Sequence, residues 1–362
     1  MLRALRVGFL YIGTVIGAGF ASGREIALFF GDSSPLTVAL AALFMAVPAT
    51  LFLAAGKFGV MPGGTAVRTG VVIAAFSSCA AMLAGLDLSF GVMTGVGALA
   101  VLAAVAAGAL VVLGTEKIKL ASSLLIPLLL VLLVVIYLKS GAPLHGGTFS
   151  LKKPVHYAGL DVLMGGMVIS REGEKLTGKQ AAITVVFSSL FLGGVLFLLQ
   201  NIVLCDDLNS SMPVLAIADK VGLKAAAALL IAIAIFTTLV ASLDVFTDTA
   251  RKCFADFAIG RAARAKTSPL CRFARFYSAP RNRAFAVGLN LLVLYPVSFF
   301  GFENIVDSVY PFIGLCGLAM TVAVAYKLLF RVVLPRLRTH SRRRKKADGT
   351  PLRKTPAAQK TA

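Results

Sequence analysis

Long apolar segments recur along the whole chain, and the short stretches between them hold most of the charged residues. A helix that crosses a membrane needs about 20 mainly apolar residues. The pattern contains ten segments of roughly this kind, of which the sixth is the shortest. It therefore predicts an all-α polytopic membrane protein with ten transmembrane helices. The predicted spans are residues 7–30, 35–56, 67–86, 91–113, 120–138, 155–170, 181–204, 224–245, 284–302 and 308–333.

The positions of the basic residues test this layout. If the N-terminus is cytoplasmic, thirty of the 36 Lys and Arg residues fall on the cytoplasmic side, five fall outside, and Arg24 lies within the first span. Cytoplasmic segments of membrane proteins carry such an excess of positive charge. We therefore predict an even number of spans in the cell membrane, with both termini in the cytoplasm.

Composition supports the membrane class and changes how the net charge is interpreted. Of the 362 residues, 58% are hydrophobic and 14% are charged, and the mean hydropathy is +0.88. Soluble domains have about 25% charged residues. We therefore attribute the formal charge of +20 to the excess of Lys and Arg on the predicted cytoplasmic side of the membrane. Neither basic stretch interleaves aromatic residues in a folded module, so we expect no nucleic-acid partner.

The two most basic segments are the loop 251–283 and the C-terminal stretch 336–362, which we predict to be a disordered cytoplasmic tail. Basic residues beside a span attract anionic lipid headgroups by about 1 kcal/mol each. Each segment is either a lipid-binding or regulatory element or an anchor that fixes the topology. Both roles are compatible with the pattern.

The residues that usually carry catalysis or metal binding are sparse. The five cysteines form no CxxC or Cys/His spacing, and the three histidines do not pair at ligand spacing. No hydrolase, zinc-protease or phosphate-loop motif is present in the sequence. We therefore expect no enzyme, no metal site and no resident cofactor.

The first predicted span contains the stretch "YIGTVIGAGFASGREIALFF", in which residues 17–23 include three glycines, two alanines and a serine. At 1.5 Å per residue, Gly17 to Gly19 lie about 15–18 Å along the span, near the bilayer midplane. One interpretation is that the small residues pack closely against another helix. The other is that the helix breaks there, because free backbone is tolerated at this depth only beside a cavity or ligand. Freed amides would then hold an anion and freed carbonyls a cation.

The sixth predicted span, "VHYAGLDVLMGGMVIS", carries Gly165 and Gly166 near its middle. If the ten spans divide into two halves of five, the sixth span corresponds to the first. Because five is an odd number of crossings, the two halves then have opposite orientations in the membrane. Two glycine-interrupted segments at matching positions indicate a binding site between inverted repeats. The predicted organisation is a first repeat at 1–138, an extracellular connection at 139–154, a second repeat at 155–335 and the tail at 336–362.

The stretch "YIGTVIGAGFASGREI" closely resembles the first span of the YkvI-type membrane proteins, a family of proposed amino-acid permeases. These are similar to the amino acid–polyamine–organocation superfamily and to sodium/amino-acid symporters with the LeuT-like five-plus-five fold. The resemblance covers about residues 1–335. This chain has Arg24 where Gln is more common in the family. The resemblance implies broken first and sixth helices and amino-acid transport.

The resemblance also implies roles for particular residues. The amides of Ala18 and Gly19 would hold a substrate carboxylate, and the carbonyls of Gly13 and Ile16 would face a sodium ion. Hydroxyl ligands would come from the eighth span, as oxygen suits a hard cation. The alternative is that these hydroxyls bond within their own helix or to a neighbouring one. The implied ion ligands are Gly13, Ile16, Thr237, Thr238 and Ser242, and the predicted substrate residues are Gly17, Ala18, Gly19, Asp161, Gly165 and Gly166.

Ionisable residues within spans are usually functional. Asp161 is predicted to be a proton site, a cation ligand or a partner for a substrate ammonium, unless it lies at the wet edge of its span. Arg24 and Glu25 lie about 26 Å along the first span, near the outer surface. Arg24 is predicted to close a gate with Asp307, as in similar symporters. The alternative is a local Arg24–Glu25 arrangement in water.

Together these features predict a secondary-active transporter that works by alternating access. Its expected substrate is a small zwitterionic solute such as an amino acid, with Na+ or H+ as the coupling ion. An ion channel and a non-transporting amino-acid sensor are the alternatives on the same scaffold.

Overall fold

The computed structural model of the protein describes residues 1–61, 65–95, 99–114, 116–142, 146–205, 208, 210–262 and 269–335. The predicted tail at 336–362 and part of the basic loop 251–283 lie outside the described residues. Over the described ranges the chain is almost entirely helical, with one short pairing between Ser33 and Thr148 outside the helices.

Fifteen α-helices run through the described residues. They are α1 (Leu2–Val15), α2 (Ala18–Ser22), α3 (Arg24–Phe30), α4 (Pro35–Lys57), α5 (Thr65–Thr94), α6 (Leu99–Leu113), α7 (Glu116–Ser140), α8 (Lys152–Asp161), α9 (Met167–Ser170), α10 (Gly178–Val203), α11 (Pro213–Lys220), α12 (Lys224–Ala262), α13 (Pro269–Ser278), α14 (Arg283–Ser298) and α15 (Phe302–Leu328).

Within the described ranges, five helices are long and apolar enough to cross a membrane. These stretches are Pro35–Lys57, Val67–Thr94, Gly178–Val203, Lys224–Ile259 and Phe302–Val333. Large apolar side chains such as Leu102 and Leu190 are exposed on outer helix faces, as expected where lipid replaces water. The prediction of an all-α membrane protein is thereby confirmed. The number of spans stays a prediction.

The shorter helices of the first and sixth predicted spans lie inside the bundle. The first segment packs on α10, α7 and α12, and α8 packs on α15 and α4. Close contact between α8 and α15 depends on glycine. A Cβ atom added to Gly159 would lie 2.8 Å from Cγ of Leu318, so a larger residue would push the helices apart. Small residues therefore allow α8 and α15 to pack closely.

A polar contact fixes the start of α8 to the loop that follows α3. The Thr148 amide donates to the Asp32 carbonyl at 2.8 Å, and the Ser34 amide donates to the Thr148 carbonyl at 3.0 Å. The Lys153 ammonium donates to the Asp32 carboxylate and lowers the pKa of that carboxyl below its usual value. This contact sets the relative positions of the two segments that enclose the site.

Candidate functional site

The first segment is interrupted twice. Helix α1 ends at Val15, and Ile16 and Gly17 leave helical geometry, with Gly17 at φ −96° and ψ −164°. A second interruption follows at Gly23, whose φ of +84° lies in the left-handed region that favours glycine. The predicted break at Gly17 is therefore present, and Gly23 turns the chain again before α3.

The sixth segment is not broken, which corrects the prediction made for it. Residues Val162–Gly166 form a π-helical turn between α8 and α9, and Gly166 has helical angles of −60° and −41°. A Cβ atom on Gly165 would lie 2.5 Å from the ring of Tyr11, and one on Gly166 would lie 2.8 Å from Phe52. The two glycines thus permit close approach of aromatic rings. The π-helical turn is the irregular part of the sixth segment.

A buried cavity of about 20 Å³ lies beside the first interruption. This volume has room for about one water molecule. Its wall is rich in side-chain oxygen, and no Lys, Arg or His is among the residues described as lining it. The polar lining residues are Thr14, Glu25, Ser78, Asp161, Thr238 and Tyr310.

Glu25 lies in the cavity wall and is only 4% exposed, which overturns its predicted place at the outer surface. The chain turns at Gly23, and this carries Glu25 inward while Arg24 points elsewhere. The local Arg24–Glu25 arrangement is therefore wrong. The carboxylate packs over Gly19, because a Cβ atom added there would lie 2.8 Å from Oε2 of Glu25.

Met82 covers the interruption from α5. The Ala18 amide points at the Met82 sulfur at 3.1 Å, and a Cβ atom on Gly17 would lie 2.6 Å from the Met82 methyl group. Thioether sulfur is only a weak acceptor. The amide predicted to hold a substrate carboxylate is therefore free to exchange this partner for a better one. Sequence reasoning missed Met82, since nothing distinguishes it among the apolar residues of α5.

Asp161 is 3% exposed and lines the same cavity, so the alternative of a wet edge position is wrong. Its Oδ2 atom has no hydrogen-bond partner among the described residues, and neither do the buried hydroxyls of Tyr11 and Tyr157. Tyr157 lies close to Glu25 as well as to Asp161. Buried polar atoms of this kind usually have partners.

Several oxygens converge on Thr238 of α12. Its Oγ1 lies 3.1 Å from the Gly13 carbonyl, 2.8 Å from the Ile16 carbonyl and 3.0 Å from the Ala234 carbonyl. The Thr237 hydroxyl donates to the same Ala234 carbonyl at 2.9 Å. One hydroxyl proton cannot satisfy three acceptors. This surplus of oxygen acceptors fits a hard cation.

Ser242 does not join this group, contrary to the expectation that it shares the ion site. Its hydroxyl lies 3.3 Å from that of Ser78. It also lines a second, smaller cavity of about 10 Å³, one helical turn along α12. Thr14 borders both cavities. Along α12, Ser242 therefore lies between Thr238, which lines the cavity beside Gly17, and Asp244.

Arg24 pairs with Asp307, as the resemblance to symporters implied. The guanidinium donates from Nε to Oδ1 at 3.0 Å and from Nη2 to Oδ2. It also donates from Nη1 to the carbonyls of Leu208 and Ser210, at 2.9 and 3.3 Å. Arg24 thus joins α3, α15 and the segment before α11. Its role as a gate stays a prediction.

A second ion-pair cluster lies at the other end of the bundle. Arg171, which follows α9, lies 3.3 Å from Asp244 and 3.7 Å from Asp248 of α12. Arg283 at the start of α14 pairs with the same two carboxylates. The cavities beside Gly17 and Ser242 therefore lie between charged contacts at both ends.

No protein-family model matches the chain, and a search of curated proteins found no significant match. The fold and the site geometry therefore carry the functional inference.

Proposed function

We propose that the protein is a secondary carrier that moves a small amino compound, such as an amino acid or a related zwitterion, by alternating access. The observation that carries the proposal is the interruption of the first segment beside a buried, oxygen-lined cavity. Interrupted helices of membrane carriers place free backbone groups around their cargo. In lipid such backbone is tolerated only where it lines a cavity or is buried in protein.

The arrangement of helices supports the predicted ten-span inverted repeat. Helices α1–α3 form the first segment, and α8–α9 with their π-turn form the sixth. Helices α4 to α7 would complete the first repeat, and α10, α12, α14 and α15 the second. The short helices α11 and α13 would lie outside the spans. Cargo would then bind between the first and sixth segments.

The two ion-pair clusters suggest how access alternates. The Arg24–Asp307 pair would close the path at one end, and Arg171 and Arg283 with Asp244 and Asp248 would close it at the other. Rocking of one group of helices would break one cluster at a time. Because the buried cavity has room for about one water, Met82 must swing aside when a larger cargo enters.

The oxygens around Thr238 would hold the coupling ion if it is sodium. The carbonyls of Gly13, Ile16 and Ala234 and the hydroxyls of Thr237 and Thr238 supply only oxygen ligands. Two of the carbonyls come from the end of α1 beside the break. Sodium there would stabilise the interrupted conformation and so favour cargo binding at the neighbouring cavity.

Counterflow in liposomes tests the proposal. The purified protein is reconstituted, loaded with an unlabelled amino acid, and given the same labelled compound outside; thermal-shift screening of all common amino acids selects the compound. A carrier is expected to show saturable exchange. Ion currents that exceed carrier turnover would favour a channel, and binding without flux would favour a sensor. Either result would refute the carrier.

The gate is tested by Asp307→Asn. Loss of the charge weakens the closed end, where Arg24 is only 11% exposed, by about 1–3 kcal/mol. This shifts the balance between closed and open states about 5- to 150-fold, so counterflow is expected to fall by several-fold at least. The matched control is Asp219→Asn, which removes an exposed pair with Lys224 and should leave counterflow unchanged. Equal rates in the two variants would contradict the gate.

A further inference from the structure

Two carboxyl groups face one another across the cavity beside Gly17. Glu25 comes from α3 and Asp161 from the end of α8, and they are 4% and 3% exposed. Both line one cavity of about 20 Å³, so their carboxyl groups are close enough to repel each other when both are ionised. They are 136 residues apart in the sequence, and the fold brings them to one cavity.

The groups around the pair supply no positive charge. Titratable neighbours are the hydroxyls of Tyr11 from α1, Tyr157 from α8 and Tyr310 from α15, together with the thiol of Cys79 from α5, which lies near Tyr310. The adjoining α2 is uncharged, and α4 and α10 carry charge only near their ends, at Lys57 and Lys179.

The basic side chains next to the pair in sequence have other partners. Arg24 binds Asp307 and two loop carbonyls. Nε2 of His156 lies 2.6 Å from the Pro311 carbonyl. On α12, the carboxylates of Asp244 and Asp248 face Arg171 and Arg283, at the other end of the bundle. Among the described residues that line the cavity, the pair therefore has no basic side chain beside it.

Two carboxylates that share a buried site are not both ionised, because burial and mutual repulsion both disfavour the second charge. One of the two therefore retains a proton. The site also has an unmet need for hydrogen-bond partners, since Oδ2 of Asp161 and the hydroxyl of Tyr11 lack them among the described residues. An ammonium group supplies one positive charge and three N–H donors.

We propose that Glu25 and Asp161 hold one proton between them in the buried cavity and release it when the ammonium group of the cargo binds there. The O–H bond breaks, its electron pair stays on the carboxylate oxygen, and the proton leaves to water. The pair goes from −1 to −2 as the ammonium group brings +1, so the summed charge of the pair and the ammonium group equals the −1 that the pair carried before. The carboxyl pair is thus a proton–ammonium exchange site.

The exchange has two consequences for transport, and these rest on the proposed carrier function. One proton moves outward for each cargo molecule that moves inward. The cargo is recognised through its ammonium group, while its carboxylate must displace Met82 from the Ala18 amide and compete with the Glu25 carboxylate over Gly19. An amine without a carboxylate should therefore bind to the same site.

Infrared difference spectroscopy of the purified protein tests the exchange. Methylammonium chloride is the cationic probe, sodium acetate the anionic probe, and sodium chloride the ionic-strength control, all at neutral pH. The expected result is a protonated-carboxyl band that methylammonium removes and acetate leaves, with release of about one proton per protein molecule into weakly buffered solution. A band that acetate removes, or one that neither probe changes, would overturn the proposal.

Two variants test whether the protonated-carboxyl band belongs to Glu25 and Asp161. Glu25→Gln and Asp161→Asn each replace one acid with a neutral group of the same shape, so the remaining carboxyl should ionise and the band should disappear. The control Asp219→Asn changes an exposed carboxylate and should keep the band. A band that persists in both variants would place the proton elsewhere and refute the pair. If either variant melts far below the wild type, the proposal is tested by the wild-type protein alone, through the response of its protonated-carboxyl band to methylammonium and acetate.

These measurements separate the exchange from the carrier function. Proton release on methylammonium binding without counterflow of any compound would leave the exchange site in place and refute transport. Counterflow without a protonated-carboxyl band would leave the carrier function in place and refute the exchange site.

Discussion

Replacement of Gly17 by leucine is expected to abolish counterflow while the protein still inserts and folds. Gly17 lies at the break, with Met82 on one side and Thr238 on the other; a Cβ atom there would lie 2.6 Å from the Met82 methyl group and 3.4 Å from Cγ2 of Thr238. The Met82 side chain can yield, but a leucine side chain would then fill the cavity of about 20 Å³. Overpacking costs about 1–3 kcal/mol, which corresponds to about 5- to 150-fold in cargo affinity.

The control for this variant is Gly288→Leu. Gly288 is an exposed glycine within α14, and a Cβ atom there would meet nothing within 4 Å. This variant should transport at the wild-type rate. Size-exclusion chromatography and melting curves show whether each variant is folded. Undiminished counterflow in Gly17→Leu would mean that the interruption serves helix packing alone, and the cargo site beside it would be refuted.

The sequence predicted the all-α membrane fold and the interruption at Gly17 because both follow from local chemistry. Apolar runs require spans, and a cluster of glycines is the least stable part of a helix. The pairing of Arg24 with Asp307 and the contact of Thr238 with two carbonyls of α1 came from the resemblance. The structure brings these groups together.

Other parts of the site depend on tertiary geometry that a linear pattern does not contain. Counting 1.5 Å per residue placed Glu25 at the surface, because the count assumed one straight helix; the left-handed turn at Gly23 invalidates it. The signal available in the sequence was that Glu25 is an acidic residue within an apolar segment, where ionisable residues are usually functional. Gly165 and Gly166 resembled a break, but their environment is set by Tyr11 and Phe52, which approach from other helices.

Replacement of Thr238 by valine is expected to remove sodium binding without loss of the fold. Valine has nearly the same shape but no hydroxyl, so the carbonyls of Gly13, Ile16 and Ala234 lose the oxygen at their centre. A hydrogen bond or ligand contact to a charged group is worth about 1.5–3 kcal/mol, which corresponds to about 10- to 150-fold in affinity. The measurement is the melting temperature in sodium chloride against potassium chloride, since an ion that binds only the folded state stabilises it.

Two further variants separate an ion ligand from an ordinary helix contact. Thr238→Ser keeps the hydroxyl and should keep the sodium-dependent shift. Thr50→Val removes an exposed hydroxyl that donates to the Ala46 carbonyl of its own helix at 2.8 Å, and should also keep the shift. If sodium and potassium stabilise the wild type equally, the Thr238 hydroxyl only joins α12 to α1. The Glu25–Asp161 pair, tested separately, would then be the remaining candidate for ion coupling. A proton binds to a carboxyl group and, unlike sodium, needs no set of carbonyl ligands.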